Sequence, residues 1–255
     1  MATAKSRYDA LSSGRNQFLQ TAIDAAKLTL PYLMKQDEDD SNYKTLITPW
    51  QSVGAKGVTT LASKLMLALL PPQTSFFKLQ IDESTILSGE LDPAIRSDLD
   101  VSFAKIERTI LESIAASDDR VVIHQALKHL VVAGNALVYM DKDKLKLYPL
   151  NRYVVERDGL GNVIEIVTKE KIHKSIVKTM IKDLDERTVN EVDDQTTGYS
   201  REDVDVYTII KRDNNRYVWH QEVYDKIIPG SQGKAPLDTT PWLPLRFNTV
   251  DNEAY

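Results

Sequence analysis

The sequence predicts an α+β protein in which helices occupy residues 1–134 and β-hairpins dominate residues 135–255. Two patterns carry this prediction. Up to Gly134 the apolar residues recur every three or four positions, the spacing of one helix face. Beyond it they alternate with polar residues and are punctuated by Asp158-Gly159-Leu160-Gly161-Asn162 and Asp213-Asn214-Asn215, which are turn formers. The composition agrees: 255 residues with 42% hydrophobic and 27% charged side chains describe a globular chain able to bury a core.

The elements follow in order. From Tyr8 to Leu30, Leu19, Ile23, Ala26 and Leu30 share one helical face, with Gly14 as an early break and Pro31 as the stop. Asp37 to Asn42 is an acidic linker whose charges repel. A second helix is expected from Trp50 to Leu69, with Thr48 as its cap and Pro49 in its first turn. Phe77, Leu79 and Ile81 alternate with Lys78, Gln80 and Asp82 as in a short strand. Asp92 and Pro93 open a third helix whose apolar face is Ile95, Leu99, Phe103, Ile106, Ile110 and Ile114. A fourth helix, capped by Asp118 or Asp119, turns Ile123, Leu127, Leu130 and Val131 inward and stops at Gly134.

In the second half, Leu145 and Leu147 mark a strand, and Tyr153–Arg157 pairs with Val163–Thr168 as a hairpin. Val204–Lys211 pairs with Arg216–Val223 as another. Ile172, Ile176 and Met180 mark a short helix between the two hairpins. Near the chain end, Trp242, Leu243 and Phe247 are three large apolar residues expected to lack cover.

Composition excludes several chemistries. Without cysteine there is no thiol nucleophile, disulfide or thiolate metal site. With 32 basic and 37 acidic residues the chain carries a net charge of −5, which opposes a broad grip on nucleic acid phosphates. The N-terminus lacks a secretory apolar core, and no stretch approaches the roughly 20 apolar residues of a membrane span, so a soluble chain made in a cytoplasm is expected.

Motifs add little catalysis. Of the four histidines, His124 and His129 lie about 140° apart around one helix and cannot grip one metal, and structural roles are expected for these and for His173 and His220. Asp37–Asn42 opens like a calcium loop, but Asn42 stands where glycine is needed and Thr48 where glutamate is needed. Gly54-Ala55-Lys56-Gly57 has the wrong order for a phosphate loop. No catalytic residue, metal ligand or cofactor is assigned.

Two clusters are candidate contacts. Lys171, Lys174, Lys178 and Lys182 form a possible basic ridge for DNA or a partner; residues 169–182 carry net +4 and residues 183–194 net −5, so a solvated, mutually neutralised face is the plainer reading. Gly54 and Gly57, each costing about 1 kcal/mol inside a helix, share a face with Trp50 and Leu61, where another backbone is expected to approach, so that Gly57→Leu would overpack.

Longer strings go further. Thr48-Pro49-Trp50-Gln51-Ser52-Val53-Gly54-Ala55-Lys56-Gly57, then Leu61-Ala62-Ser63-Lys64-Leu65-Met66-Leu67-Ala68-Leu69 and Pro71, resemble the portal protein family of short-tailed bacteriophages, the head-to-tail connectors. Ala126-Leu127-Lys128 with Leu130–Asn135, Tyr153-Val154-Val155 with Arg157-Asp158 and Gly161-Asn162-Val163, and Asp205-Val206-Tyr207-Thr208 agree with it. The resemblance implies a non-enzymatic wing segment of a portal fold, its β-rich part similar to a small SH3-like barrel, with stem, clip and crown absent from a chain ending at Tyr255. It further implies a homo-dodecamer around double-stranded DNA at the head-tail vertex of the virion, assembled in the host cytoplasm. The implied partners are capsid and scaffolding proteins, the terminase packaging motor, tail adaptor proteins and internal core proteins, with no membrane and no cofactor. Two other readings compete: a metal-dependent nuclease using Asp141, Asp143, Glu156 and Asp158, and a monomeric adaptor binding one partner through the basic ridge.

Overall fold

A computed structural model describes residues 3–34, 48–71, 74–81, 93–141, 144–181 and 203–247. The helices among them are α1 (Ala4–Gly14), α2 (Asn16–Leu28), α3 (Val53–Leu69), α4 (Pro93–Ala116), α5 (Asp119–Ala133) and α6 (Lys174–Met180). The strands are β1 (Asn135–Met140), β2 (Leu145–Tyr148), β3 (Tyr153–Arg157), β4 (Val163–His173), β5 (Asp203–Asp213), β6 (Arg216–Val223), β7 (Lys226–Ile227), β8 (Gly233–Pro236) and β9 (Trp242–Arg246). The mixture is α+β, and α2 and α5 abut strands through a common core.

Two antiparallel sheets form. One has the order β2-β1-β9, and the other β3-β4-β5-β6-β7, with β8 also paired to β6. The edges β3 and β7 do not meet in this order, so no closed barrel is formed among the described residues. The register of the larger sheet explains how both its faces stay dry. Val155, Ile166 and Ile210 are neighbours across β3, β4 and β5 on one face, and Val154, Val167 and Ile209 are neighbours on the other. The first row joins the main core with Ala22, Ile23 and Ala26 of α2 and Leu137, Tyr148 and Trp242 of the smaller sheet. The second row is covered by Ala4, Tyr8 and Leu11 of α1. A sheet covered on both faces reads as continuous apolar runs, as Tyr153-Val154-Val155 does.

Helix ends follow local chemistry. Gly134 ends α5 in the left-handed region at φ 72°, where glycine has no Cβ penalty, and the chain passes directly into β1. The helical run expected from Tyr8 to Leu30 breaks after Gly14, where the sequence placed an early break, and Arg15 separates α1 from α2. The helix expected from Trp50 begins instead at Val53, after Ser52, because the segment before it runs outside the helix and leaves Trp50 fully exposed.

Three further expectations are corrected. Residues 77–81 do alternate between half-buried and exposed, but no strand pairs with them; the Leu79 amide donates to Glu107 Oε1 of α4 at 2.5 Å instead. Ile172 lies in β4 rather than in a helix, and α6 buries Val177 while Ile176 stays exposed. Trp242 is covered, stacked on Tyr139 with ring centroids 4.1 Å apart, whereas Leu243 and Phe247 are exposed. The acidic linker 37–42, the caps and charges at Asp82, Asp92 and 183–194, and Tyr255 lie outside the described residues.

Helix α3 packs on α5 through Ala62, Met66, Leu70, Leu127 and Leu130. Next to this seam, His129 is buried with Nδ1 unpaired, and burial lowers its pKa to about 4. The unfolded chain takes up its proton near pH 6.5, so stability is complete above that pH and falls as pH drops from 6.5 toward 4. Denaturation at pH 7 and pH 4 is expected to differ by about 3 kcal/mol from this residue alone, and His129→Leu should remove that slope.

Candidate assembly surfaces

Polar anchors fix the N-terminal helices to the sheets. Arg7 on α1 reaches Glu156 of β3 and, at 2.8 Å, Glu165 of β4. The amide of Ala4 donates to Glu222 Oε2 of β6 at 2.6 Å. Arg15, 2% exposed, donates to the carbonyls of Leu150 and Tyr153. These carbonyls belong to the first residue of the 3-10 turn Leu150–Arg152 and the residue just after it, where the chain leaves the smaller sheet for the larger one. Sequence reading missed Arg15 because it follows Gly14 at a helix break, where a charged residue normally reaches water. The signal was available only as an arginine interrupting the apolar face of a long helical pattern.

The glycine pair separates in space. A Cβ on Gly54 would lie 2.8 Å from the carbonyl oxygen of Leu28 and 3.1 Å from Thr29 Cγ2, so the C-terminal end of α2 approaches α3 there. Among the described residues no atom lies within 4 Å of such a Cβ on Gly57, which is exposed, so they supply no neighbour for the overpacking expected of Gly57→Leu. Thermal unfolding should separate the two: Gly54→Ala is expected to cost about 1–3 kcal/mol through the clash, and Gly57→Ala to add about 0.5–1 kcal/mol through helix propensity.

Trp50, Val53 and Leu61 leave apolar surface in water on the Gly57 side of α3. Helix α4 does so over its whole length. The expected apolar face forms, yet no α4 side chain described is buried, and Ile95 and Ile106 are 52% and 46% exposed. These nonpolar residues recur at helical spacing along a helix of 24 residues.

The described lysines of the expected basic ridge lie on two elements. Lys171 lies on β4 in a cleft with Asp203, Asp205, Glu222 and Asp225, Lys174 and Lys178 lie on the seven-residue α6, and Lys182 is outside the described residues. Two of the carboxylates weighed for metal chemistry, Glu156 and Asp158, serve local structure. Glu156 holds Arg7, and Asp158 accepts from the amides of Leu160 and Asn162 at 3.0 and 2.8 Å. Bonding to Asn162, first by its side chain, lowers the Asp158 pKa. Asp141 lies near the end of β1, and Asp143 is outside the described residues. Among the described residues, no group of three or more His, Asp or Glu side chains is placed to hold a metal. The other histidines have local partners: His124 faces Ser63 Oγ at 3.4 Å, His173 accepts from the Ser175 amide, and His220 meets Glu222 at 2.8 Å.

The model of the bacteriophage head to tail connecting protein family matches residues 1–255. The chain belongs to that family. It is 37% identical over 259 residues to the portal protein of Enterobacteria phage T3, covering 99% of this chain and 47% of that protein. It is 36% identical over 260 residues to the portal protein of Escherichia phage T7, with the same coverages. It is 29% identical over 242 residues to the portal protein of Pseudomonas phage phiKMV, covering 92% and 46%. The chain thus spans about half the length of these curated relatives. They are named portal proteins, and none carries the name of an enzyme. Among the described residues no helix is long and apolar enough to cross a membrane.

Proposed function

We propose that this chain is the wing part of a portal subunit, one of twelve in a ring at the capsid vertex through which double-stranded DNA enters during packaging and leaves at ejection. The observation that carries the reading is the family match over the entire chain, supported by 37% identity to a portal protein. Residues 1–134 form its helical side and residues 135–255 its β-rich side, the two-sheet unit standing where an SH3-like barrel is expected. The neighbours in this reading are a second copy of the chain, capsid and scaffolding proteins, a terminase motor, internal core proteins and tail adaptors, joined in the host cytoplasm and kept at the head-tail vertex. The open apolar face of α4 is the surface we assign to contact between subunits.

A net charge of −5 suits a wall along which DNA slides. DNA binding is therefore expected to be weak and sequence-independent, carried by Lys171, Lys174, Lys178 and Lys182, and lost by about 200 mM salt. Filter binding across a salt series checks this; selective binding that survives 200 mM salt would contradict it.

A further inference from the structure

The two ends of the larger sheet carry opposite charge, and the connector reading uses neither. Strand β5 runs from Asp203 to Asp213, so roughly 33 Å separate its ends at about 3.3 Å per residue. The turn between β3 and β4 projects at the Asp213 end, because Glu165 pairs with Lys211 and β4 begins two residues before Glu165. The turn between β6 and β7 lies at the Asp203 end, because Glu222 pairs with Tyr207.

The first end is a firmly built tip. Leu160, in the turn between β3 and β4, is 83% exposed. Asp158 spends both carboxylate oxygens inside that turn, on the amides of Leu160 and Asn162 and on the Asn162 side chain. Arg157 donates to the carbonyls of Gly161 and Pro244 and so ties the turn to β9, where Arg246 also reaches Gly161. Arg216 pairs with Asp213 at 3.3 Å, while Arg212 is exposed and holds no ion pair among the described residues. Arginines 157, 212, 216 and 246 thus outnumber Asp158 and Asp213 around the tip.

The other end is a cleft of about 600 Å³ in which four carboxylates, Asp203, Asp205, Glu222 and Asp225, outnumber Lys5 and Lys171. Tyr207 and Tyr224 are also in its lining. Two of the acids have partners already: Glu222 accepts from the Ala4 amide and meets His220, and Asp205 meets Lys169 at 3.1 Å. Asp203 and Asp225 are exposed and hold no ion pair among the described residues.

We infer that the Leu160 tip of one copy docks in the cleft of the next copy, with Leu160 against the tyrosines and Arg212 against Asp203 and Asp225. The occupant is a second copy of this chain because one chain supplies both halves: opposite charge, an exposed apolar side chain and a cleft with room for it. The two halves lie at opposite ends of one sheet, so a copy cannot make the contact with itself. Such a contact is head-to-tail and repeats from copy to copy, closing a ring where the rotation permits. The inference rests on the ring reading for the meeting of copies, and it adds to the α4 face a second contact whose charges fix the order of the two ends.

The test exchanges the two charges in the full-length protein and follows association by sedimentation velocity. Arg212→Glu alone and Asp203→Arg alone are each expected to weaken association at least about tenfold, because each sets like charges against each other. An equimolar mixture of the two variants, and a double variant carrying both changes, should return to within about threefold of the parent, since opposite charges then face each other again. Recovery in the mixture cannot come from misfolded chains. Leu160→Asp, at an exposed position, should weaken association and leave the thermal midpoint in place. Single variants that associate like the parent, single variants that neither the mixture nor the double variant recovers, or a Leu160→Asp variant that associates like the parent would overturn the inference and leave the ring reading standing. A parent protein that stays monomeric throughout would overturn both.

Discussion

Arg15→Ala is expected to destabilise the protein by about 3–5 kcal/mol, because two buried carbonyls lose their donor at about 1–3 kcal/mol each and a large side chain leaves a void. The carbonyls belong to Leu150, the first residue of the turn that joins the two sheets, and Tyr153, just after it, so the loss falls on the junction rather than on a surface loop. Arg15 also places a guanidinium nitrogen 3.3 Å from the Tyr8 hydroxyl, which itself donates to the Asn151 carbonyl. A chain of donors thus runs from the α1–α2 break through Tyr8 to the same turn. Arg15→Lys keeps the charge without the planar fork and should recover less than half of the loss. Thermal denaturation reads the effect as a drop of roughly 6–20 °C for a chain of this size. A drop of under 2 °C for Arg15→Ala would show that the carbonyls find other donors.

The second large effect concerns assembly and leaves the subunit intact. Ile106→Lys combined with Ile110→Glu changes two exposed positions on α4, so monomer stability should move by no more than about 0.5 kcal/mol. If the face is buried between subunits, each isoleucine contributes about 1.5–3 kcal/mol to the contact, and association should weaken at least about 100-fold. Sedimentation of the full-length protein distinguishes the cases: unaltered oligomers in the double variant would place the subunit contact elsewhere.

The end of α5 and the turn between β3 and β4 were legible because local chemistry decides them. Asp158 to Asn162 can form little except a turn, and Gly134 supplies the left-handed residue that ends α5 wherever the rest of the chain lies. The 77–81 segment was not legible in the same way. Its alternation is present, but a strand requires a partner, and pairing is a property of the tertiary structure. Gly54 and Gly57 make the same point, since both cost helix propensity and only the fold says which of them faces the end of α2. The α4 periodicity correctly gave a helix with one apolar face, while burial within the same chain did not follow, because periodicity names a face and never the surface that covers it. Arg15 and the cleft beside Asp203 and Asp225 depend on residues more than twenty positions apart meeting in space, which no spacing rule records.

The most direct test of the connector account is cryo-electron microscopy of the full-length purified protein. The account predicts closed rings with a central channel in which the α4 face of each subunit, from Ile95 to Ile114, is covered by the next subunit. Single subunits without rings, or rings in which α4 faces solvent, would contradict it.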